Sequence, residues 1–288
     1  MNAPLKTWVP TFLLVDAHVH FHPSYDFEAF LDGALANFRR GAADVGLPGP
    51  FTGCLLLTEM GDARWFRSLL TGSADGGAWR IERTAEANSL IARRASGERL
   101  VLVAGRQIAA SEGLEVLALG RDAEIPDGLP LAETLRQVRE SGALPVLPWG
   151  FGKWLGRRGA LIAGTLAGGG DGSRGELFLG DNGGRPGIGG PPQLFAEARV
   201  RGVRVLPGSD PLPLPEHERR AGSYGFVLEG ALDESRPAED LLRKIRGLRG
   251  QPRVYGRCAA LPRFLRDQIG LRWPRSLRQA ARSAEAAS

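Results

Sequence analysis

The chain has 288 residues, 43% hydrophobic and 24% charged, an ordinary globular composition that excludes a disordered chain. Two cysteines, Cys54 and Cys258, exclude a disulfide framework or a four-cysteine zinc site. The net charge of +5 is unevenly spread, because residues 236–288 carry 13 basic and 4 acidic side chains and leave the rest mildly acidic. No apolar run approaches the ~20 residues that span a bilayer. The short apolar stretch Thr11–Val15 cannot form a signal-peptide core, so the expectation is a cytoplasmic protein without a membrane partner.

In chain order, Phe12–Val15 reads as a strand ending at Asp16. Phe27–Arg39 has apolar residues at helical spacing. Gly53–Leu57 is a buried strand, Ala63–Leu70 a helix and Ser73–Ala78 a loop. Leu100–Ala104 is a strand, with Glu115–Leu119 as a hairpin edge. A helix over Leu131–Ser141 stops at Gly142. Ala143–Leu147 is a strand broken by Pro148, and Leu155–Leu166 has helical spacing. Glu176–Leu179 is a strand, and Pro192–Arg201 a helix with Pro at its start. Val203–Leu206 and Tyr224–Leu228 are strands. From Ala238 the pattern is helical, with breaks at Gly250–Pro252 and Pro274. Leu261, Phe264, Leu265 and Ile269 form the face expected to dock.

Strands that alternate with helices imply parallel strands with crossover helices. The expectation is an α/β chain folded as a distorted (β/α)7 TIM-like barrel with C-terminal helices. It forms a single domain over 1–279, with a frayed tail over 280–288. The Gly-rich stretch Gly164–Gly190, 12 glycines in 27 residues, reads as two loops around a strand rather than a linker.

Asp16-Ala17-His18-Val19-His20-Phe21-His22 holds three of the four histidines. In an extended chain, residues two apart point the same way, so His18, His20 and His22 present imidazoles on one side of a strand end. Neutral imidazole suits Zn²⁺, Mn²⁺ and Fe²⁺. Asp16, on the same side, would orient a ligand histidine from behind. In parallel barrels the C-terminal strand ends form the active face.

Asp16-Ala17-His18-Val19-His20 resembles the first motif of the metal-dependent hydrolases with (β/α) barrels: the amidohydrolase superfamily and the PHP (polymerase and histidinol phosphatase) family. Seven strands suit the PHP barrel. Gly105-Arg106-Gln107-Ile108 resembles the segment where a PHP strand carries Gly-x-Glu. Gly208-Ser209-Asp210-Pro211 resembles the late Ser-Asp motif whose aspartate binds metal. The resemblance implies metal ligands at His18, His20 and Asp210, with His22 and Gln107 as lesser candidates. It departs from the family at Gln107, where a bridging glutamate is expected. It departs again at Leu147–Trp154, where a histidine is absent, and after Asp210, where Pro211-Leu212 replaces one. The implied site therefore holds one divalent ion, Zn, Mn or Fe. A degenerate barrel with no metal is the alternative.

Lys153, between two tryptophans in the turn Trp149–Trp154, is placed to bind an anionic group or to act in catalysis. Asn182 and Arg185, in a Gly-rich turn after a strand, offer an amide and a guanidinium that can clamp phosphate or carboxylate. Glu59, after another strand, is a candidate general base, as is Asp210. The basic C-terminal segment matches no nucleic-acid motif. The expected activity is hydrolysis of a small anionic substrate, a phosphoester, by metal-activated water. The alternative is a barrel that binds a ligand or partner without hydrolysis. The sequence sets no oligomeric state.

Overall fold

The computed structural model describes residues 11–72, 77–168 and 176–272. The tail expected over 280–288 lies outside them, as do parts of the loop at Ser73–Ala78 and of the Gly164–Gly190 stretch. The strands in chain order are β1 (Phe12–Val19), β2 (Phe51–Leu57), β3 (Glu59–Met60), β4 (Trp79–Arg83), β5 (Ser89–Arg94), β6 (Arg99–Val103), β7 (Gly105–Ala109), β8 (Glu115–Leu119), β9 (Leu144–Pro148), β10 (Phe178–Asn182), β11 (Val205–Gly208), β12 (Tyr224–Glu229) and β13 (Arg253–Gly256). The helices are α1 (Phe27–Asp44), α2 (Trp65–Leu70), α3 (Leu131–Glu140), α4 (Gly156–Gly168), α5 (Gln193–Val200), α6 (Pro237–Arg246) and α7 (Leu261–Arg272).

The strands form two mixed sheets, ordered β13-β12-β1-β2-β6-β5-β4 and β11-β10-β9-β8-β7-β3. β1–β2, β2–β6, β3–β7, β9–β10 and β10–β11 pair in parallel. The pairs β1–β12, β4–β5, β5–β6, β7–β8, β8–β9 and β12–β13 are antiparallel. This corrects the expectation of parallel strands throughout, and among the described residues the ladders do not close into a barrel. For three of the antiparallel pairs, β4–β5, β5–β6 and β7–β8, the reason is connection length. A parallel crossover needs a dozen or more residues, and segments 84–88, 95–98 and 110–114 are too short for anything but hairpins. β4, β5, β7 and β13 escaped the sequence reading because their strands mix charged or small residues with apolar ones. β2 runs on through Thr58 into β3, and β6 through Ala104 into β7, so two chain segments pass from the first sheet into the second.

Three apolar clusters fill the molecule. The first lies between the first sheet and α1 and α2, where Phe30, Leu31 and Phe38 are fully buried. Each such side chain contributes roughly 1.5–3 kcal/mol by leaving water. Asp26 starts α1 by accepting the Ala29 N–H at 2.8 Å. The second cluster lies between the two sheets, from Leu13, Val15 and Leu56 to Val146 and Phe178, and Leu241, Leu242 and Ile245 of α6 complete it. The third packs α3, α4 and α5 on the outer face of the second sheet.

α7 docks on a different face from the one its apolar spacing suggests. Phe264 and Asp267 are buried, whereas Leu265 and Ile269 are 50% and 58% exposed. The Asp267 carboxylate meets His217 and Arg220 in the interior, and those ionic partners fix the rotation of the helix.

Candidate metal centre

β1 alternates regularly at first: Phe12 and Leu14 enter the first cluster, and Leu13, Val15 and Ala17 enter the second. Its pairing with β2 then shifts between Asp16 and Val19, and Val19 joins the first cluster. A shift of this kind re-aims every later side chain. It turns His18 and His20 away from the first cluster and into a cleft. β11 approaches closely there because Gly208 has no side chain. A Cβ at that position would lie 2.4 Å from the His18 Cβ. The Asp210 N–H donates to the His18 carbonyl at 2.8 Å, which ties the segment after β11 to β1. Asp210 itself sits at φ 47°, the one non-glycine residue at positive φ among those described. Aspartate tolerates this region better than most side chains.

One ligand atom from each of His18, His20 and Asp210 lies within 4.8 Å of the others. The His18 and His20 Nε2 atoms are 3.0 Å apart, and Asp210 Oδ1 is 3.6 Å and 3.4 Å from them. Gln107 Oε1, on β7, is 3.2 Å from His18 Nε2. Four donors at metal bonds of about 2.0–2.1 Å in a tetrahedron would be about 3.3–3.4 Å apart. The three distances among His18, His20 and Asp210 are close to that spacing, so the trio fits three corners of a divalent-ion site.

The electrostatics suit the same use. Burial, reinforced by the neighbouring His18, lowers the His20 pKa to about 3, so its imidazole is neutral at ordinary pH. His20 Nδ1 lies 3.4 Å from Thr58 Oγ1, whose own proton goes to the Val19 carbonyl. The hydroxyl oxygen is thus an acceptor for Nδ1–H, and the Nε2 lone pair faces the cleft. Burial pushes the Asp210 carboxyl up. His18, His20, the Asn182 amide and Arg220 outweigh it, and its pKa falls below the usual carboxylate range. Asn182 Nδ2 donates to Asp210 Oδ2, which leaves Oδ1 toward the histidines.

The cleft has a volume of about 290 Å³, and its lining includes Gln107, Lys153 and Asn182 with the ligand trio. His22 also lines it. Its Nε2–H donates to the Pro211 carbonyl at 2.8 Å, and burial lowers its pKa. Lys153 stands at the rim, its ammonium paired with Glu115. Other sequence candidates are held elsewhere. Asp16 does not touch an imidazole. Its carboxylate accepts from Ser209 N at 2.8 Å, Ser209 Oγ at 2.5 Å, Gly222 N at 2.7 Å and His18 N at 3.3 Å. It orients His18 through the backbone, and burial raises its pKa to about 6 despite these donors. Glu59 accepts the Phe66 N–H at 2.8 Å at the start of α2 and faces Arg106 at 3.6 Å, away from the cleft lining. Arg185 gives two bonds to Asp181 and others to the Pro186 and Gly190 carbonyls, and it does not line the cleft.

Glu115, Asp267, Gln268 and Met60 line the cleft without having been singled out by sequence reading. Glu115 begins a short strand and Asp267 lies within a basic helix. Nothing local to either marks it as facing His18.

No family model matches the chain, and no curated protein matches it in sequence. Its fold resembles that of PsfC from Pseudomonas syringae PB-5123, with a TM-score of 0.50 and 15% identity over 88% of this chain and 95% of that one. The lesion-specific endonuclease PfuEndoQ from Pyrococcus furiosus aligns with a TM-score of 0.48 and 12% identity, covering 84% of this chain and 57% of that one. At these identities the likeness to PsfC is one of fold alone.

Proposed function

We propose that this chain is a metal-dependent hydrolase acting on a small anionic substrate, a phosphoester. It would hold one divalent ion through His18, His20 and Asp210, with Gln107 as a neutral fourth donor. The observation that carries the reading is the spacing of the His18, His20 and Asp210 donors, 3.0–3.6 Å from one another, close to the edge of a metal-binding tetrahedron. Two imidazoles and two oxygens suit Zn, Mn or Fe. Such an ion acidifies water and polarises a phosphoryl oxygen.

The chain's own groups have separate tasks. Thr58 fixes the His20 tautomer. Asn182 engages one Asp210 oxygen and directs the other, which favours Asp210 as a ligand over a general base. Lys153 supplies charge for an anion at the rim. The cleft's volume, at the low end for ligand sites, favours a small substrate. The finer reading of the fold is one domain in which β1, β2–β3, β6–β7, β8, β9, β10 and β11 act as seven staves of a distorted barrel. The bond between the Asp210 N–H and the His18 carbonyl supports that closure.

Metal content of protein purified without a metal-binding tag tests the reading. One tightly held ion per chain is expected, lost in His20→Ala, with hydrolysis of a phosphomonoester that depends on it. Protein that neither retains nor takes up a divalent ion would leave the non-catalytic barrel in its place.

A further inference from the structure

The turn from Trp149 to Lys153 separates two cavities. One is the cleft of the metal centre. The other is a groove of about 590 Å³ between α4 and the segment that leads into α5. Trp149, Gly150 and Phe151 line both, so the two spaces share a wall and a rim. The groove differs from the cleft in chemistry. Trp154, Leu155 and Leu194 line it, and among the described residues Glu197 is its one charged lining residue. It contains no lysine or arginine that would hold an anion. α4 turns Gly159, Ala160 and Ala163 toward it, and no bulky side chain fills the space. Phe151 and Leu155, at its edge, are 55% and 72% exposed. Large apolar side chains kept in water beside a concavity mark a binding surface.

We infer that this groove binds the apolar part of the substrate, an aromatic ring or branched hydrocarbon, while the anionic group of the same molecule lies at the metal centre. This rests on the function proposed above, because the anion-binding end is the metal cleft. A molecule spanning both spaces crosses the Trp149–Phe151 turn. The aromatic faces there favour a ring, and the cationic metal with Lys153 favours the anion. The substrate class is then an aryl or bulky alkyl phosphoester, and simple phosphates are poor ligands.

The test uses the full chain loaded with zinc and two ligands that resist hydrolysis, methylphosphonate and 1-naphthylmethylphosphonate, with affinities measured by calorimetry. The naphthyl ligand should bind about tenfold more tightly or better, as expected for burial of one aromatic system. Ala160→Trp, on the exposed side of α4, fills the groove, and Phe151→Ala removes its shared wall. Each should reduce the preference to within about twofold while the zinc content stays at one per chain. Equal affinity of the two ligands for the unaltered protein would overturn the groove and leave the metal centre standing. So would a preference that persists in both variants. Failure of the zinc-loaded protein to bind either ligand would remove the anionic substrate and the groove together.

Discussion

Asp267 Oδ1 lies 3.1 Å from His217 Nε2, and both side chains are buried. His217 Nδ1 accepts the Leu212 N–H at 2.9 Å, so the ring proton must sit on Nε2 and be donated to Asp267. Leu212 and Pro211 follow Asp210 directly, and their carbonyls are held by Tyr25 and His22. α7 is thereby connected to the backbone that carries the Asp210 carboxylate.

Asp267→Asn should weaken this link in a pH-dependent way. Burial pushes the Asp267 carboxyl up, but the His217 hydrogen bond and the charges of Arg220 and Arg263 bring it below its ordinary value of 3.8. A carboxylate depressed in the folded state stabilises above the unfolded pKa, and its contribution disappears as pH falls through the folded pKa. The melting temperature of the variant should therefore lie below that of the parent at neutral pH, by roughly 1–3 kcal/mol of stability. The two curves should begin to approach each other only as the pH falls below 3.8, and meet below the depressed folded value. A gap that stays constant to the acid limit would refute the assignment.

Metal should stabilise the folded chain by mass action. At a free concentration 100 times the dissociation constant the gain is about 2.7 kcal/mol. Zinc should raise the melting temperature of the parent, and a chelator should reverse it. In Asp210→Asn or His20→Ala that response should shrink or vanish.

Gln107→Glu should raise metal affinity about tenfold, or 1.4 kcal/mol, because a carboxylate replaces a neutral amide 3.2 Å from His18 Nε2. The same change should destabilise the metal-free protein, since a second carboxylate then lines the same cleft as Asp210. Calorimetric titration with zinc, alongside melting of the chelated protein, separates the two effects.

Asp16→Asn should cost about 2–4 kcal/mol. The carboxylate accepts from four donors, and either orientation of an amide turns its NH₂ toward a backbone N–H. Chemical denaturation would show the loss. Unchanged stability would overturn the role assigned to these four hydrogen bonds.

Lys153→Met should reduce affinity for phosphate or phosphonate several-fold. Its pair with Glu115 is partly exposed, so stability should change by less than about 1 kcal/mol. A large fall in melting temperature with intact anion binding would make Lys153 a structural residue.

The first motif was legible because its chemistry is concentrated. Three histidines alternate after an apolar strand; all three line the cleft, and two of them, His18 and His20, meet Asp210 there. The reason they share it was not legible. The register shift after Asp16 and the approach allowed by Gly208 depend on β2 and β11, which are distant in sequence. Asp210 could be linked to the site through its likeness to a known motif. Asp16 holds His18 by its backbone N–H rather than by its imidazole, because alternation places a side chain on a face but does not say which donors wait there. Arg185 looked available for a ligand, yet Asp181 and Tyr224 form a buried cluster around it that no local pattern announces. The hairpin β4–β5 has no counterpart in the sequence expectations, because alternation of charged and apolar residues over five positions is a weak signal; Glu115–Leu119 is a hairpin edge as expected, but its partner is β7 rather than Leu100–Ala104.

The passage of β2 into β3 and of β6 into β7 bears on how the molecule comes apart. Each of these segments belongs to both sheets, so neither sheet can fray without pulling on the strands of the other. Thermal unfolding of the described core should follow one sigmoidal transition, with tryptophan fluorescence and circular dichroism superimposed. The metal cleft stands above this crossing, with Thr58 at one junction and Gln107 just beyond the other. Loss of ion binding and loss of secondary structure should then occur at the same denaturant concentration.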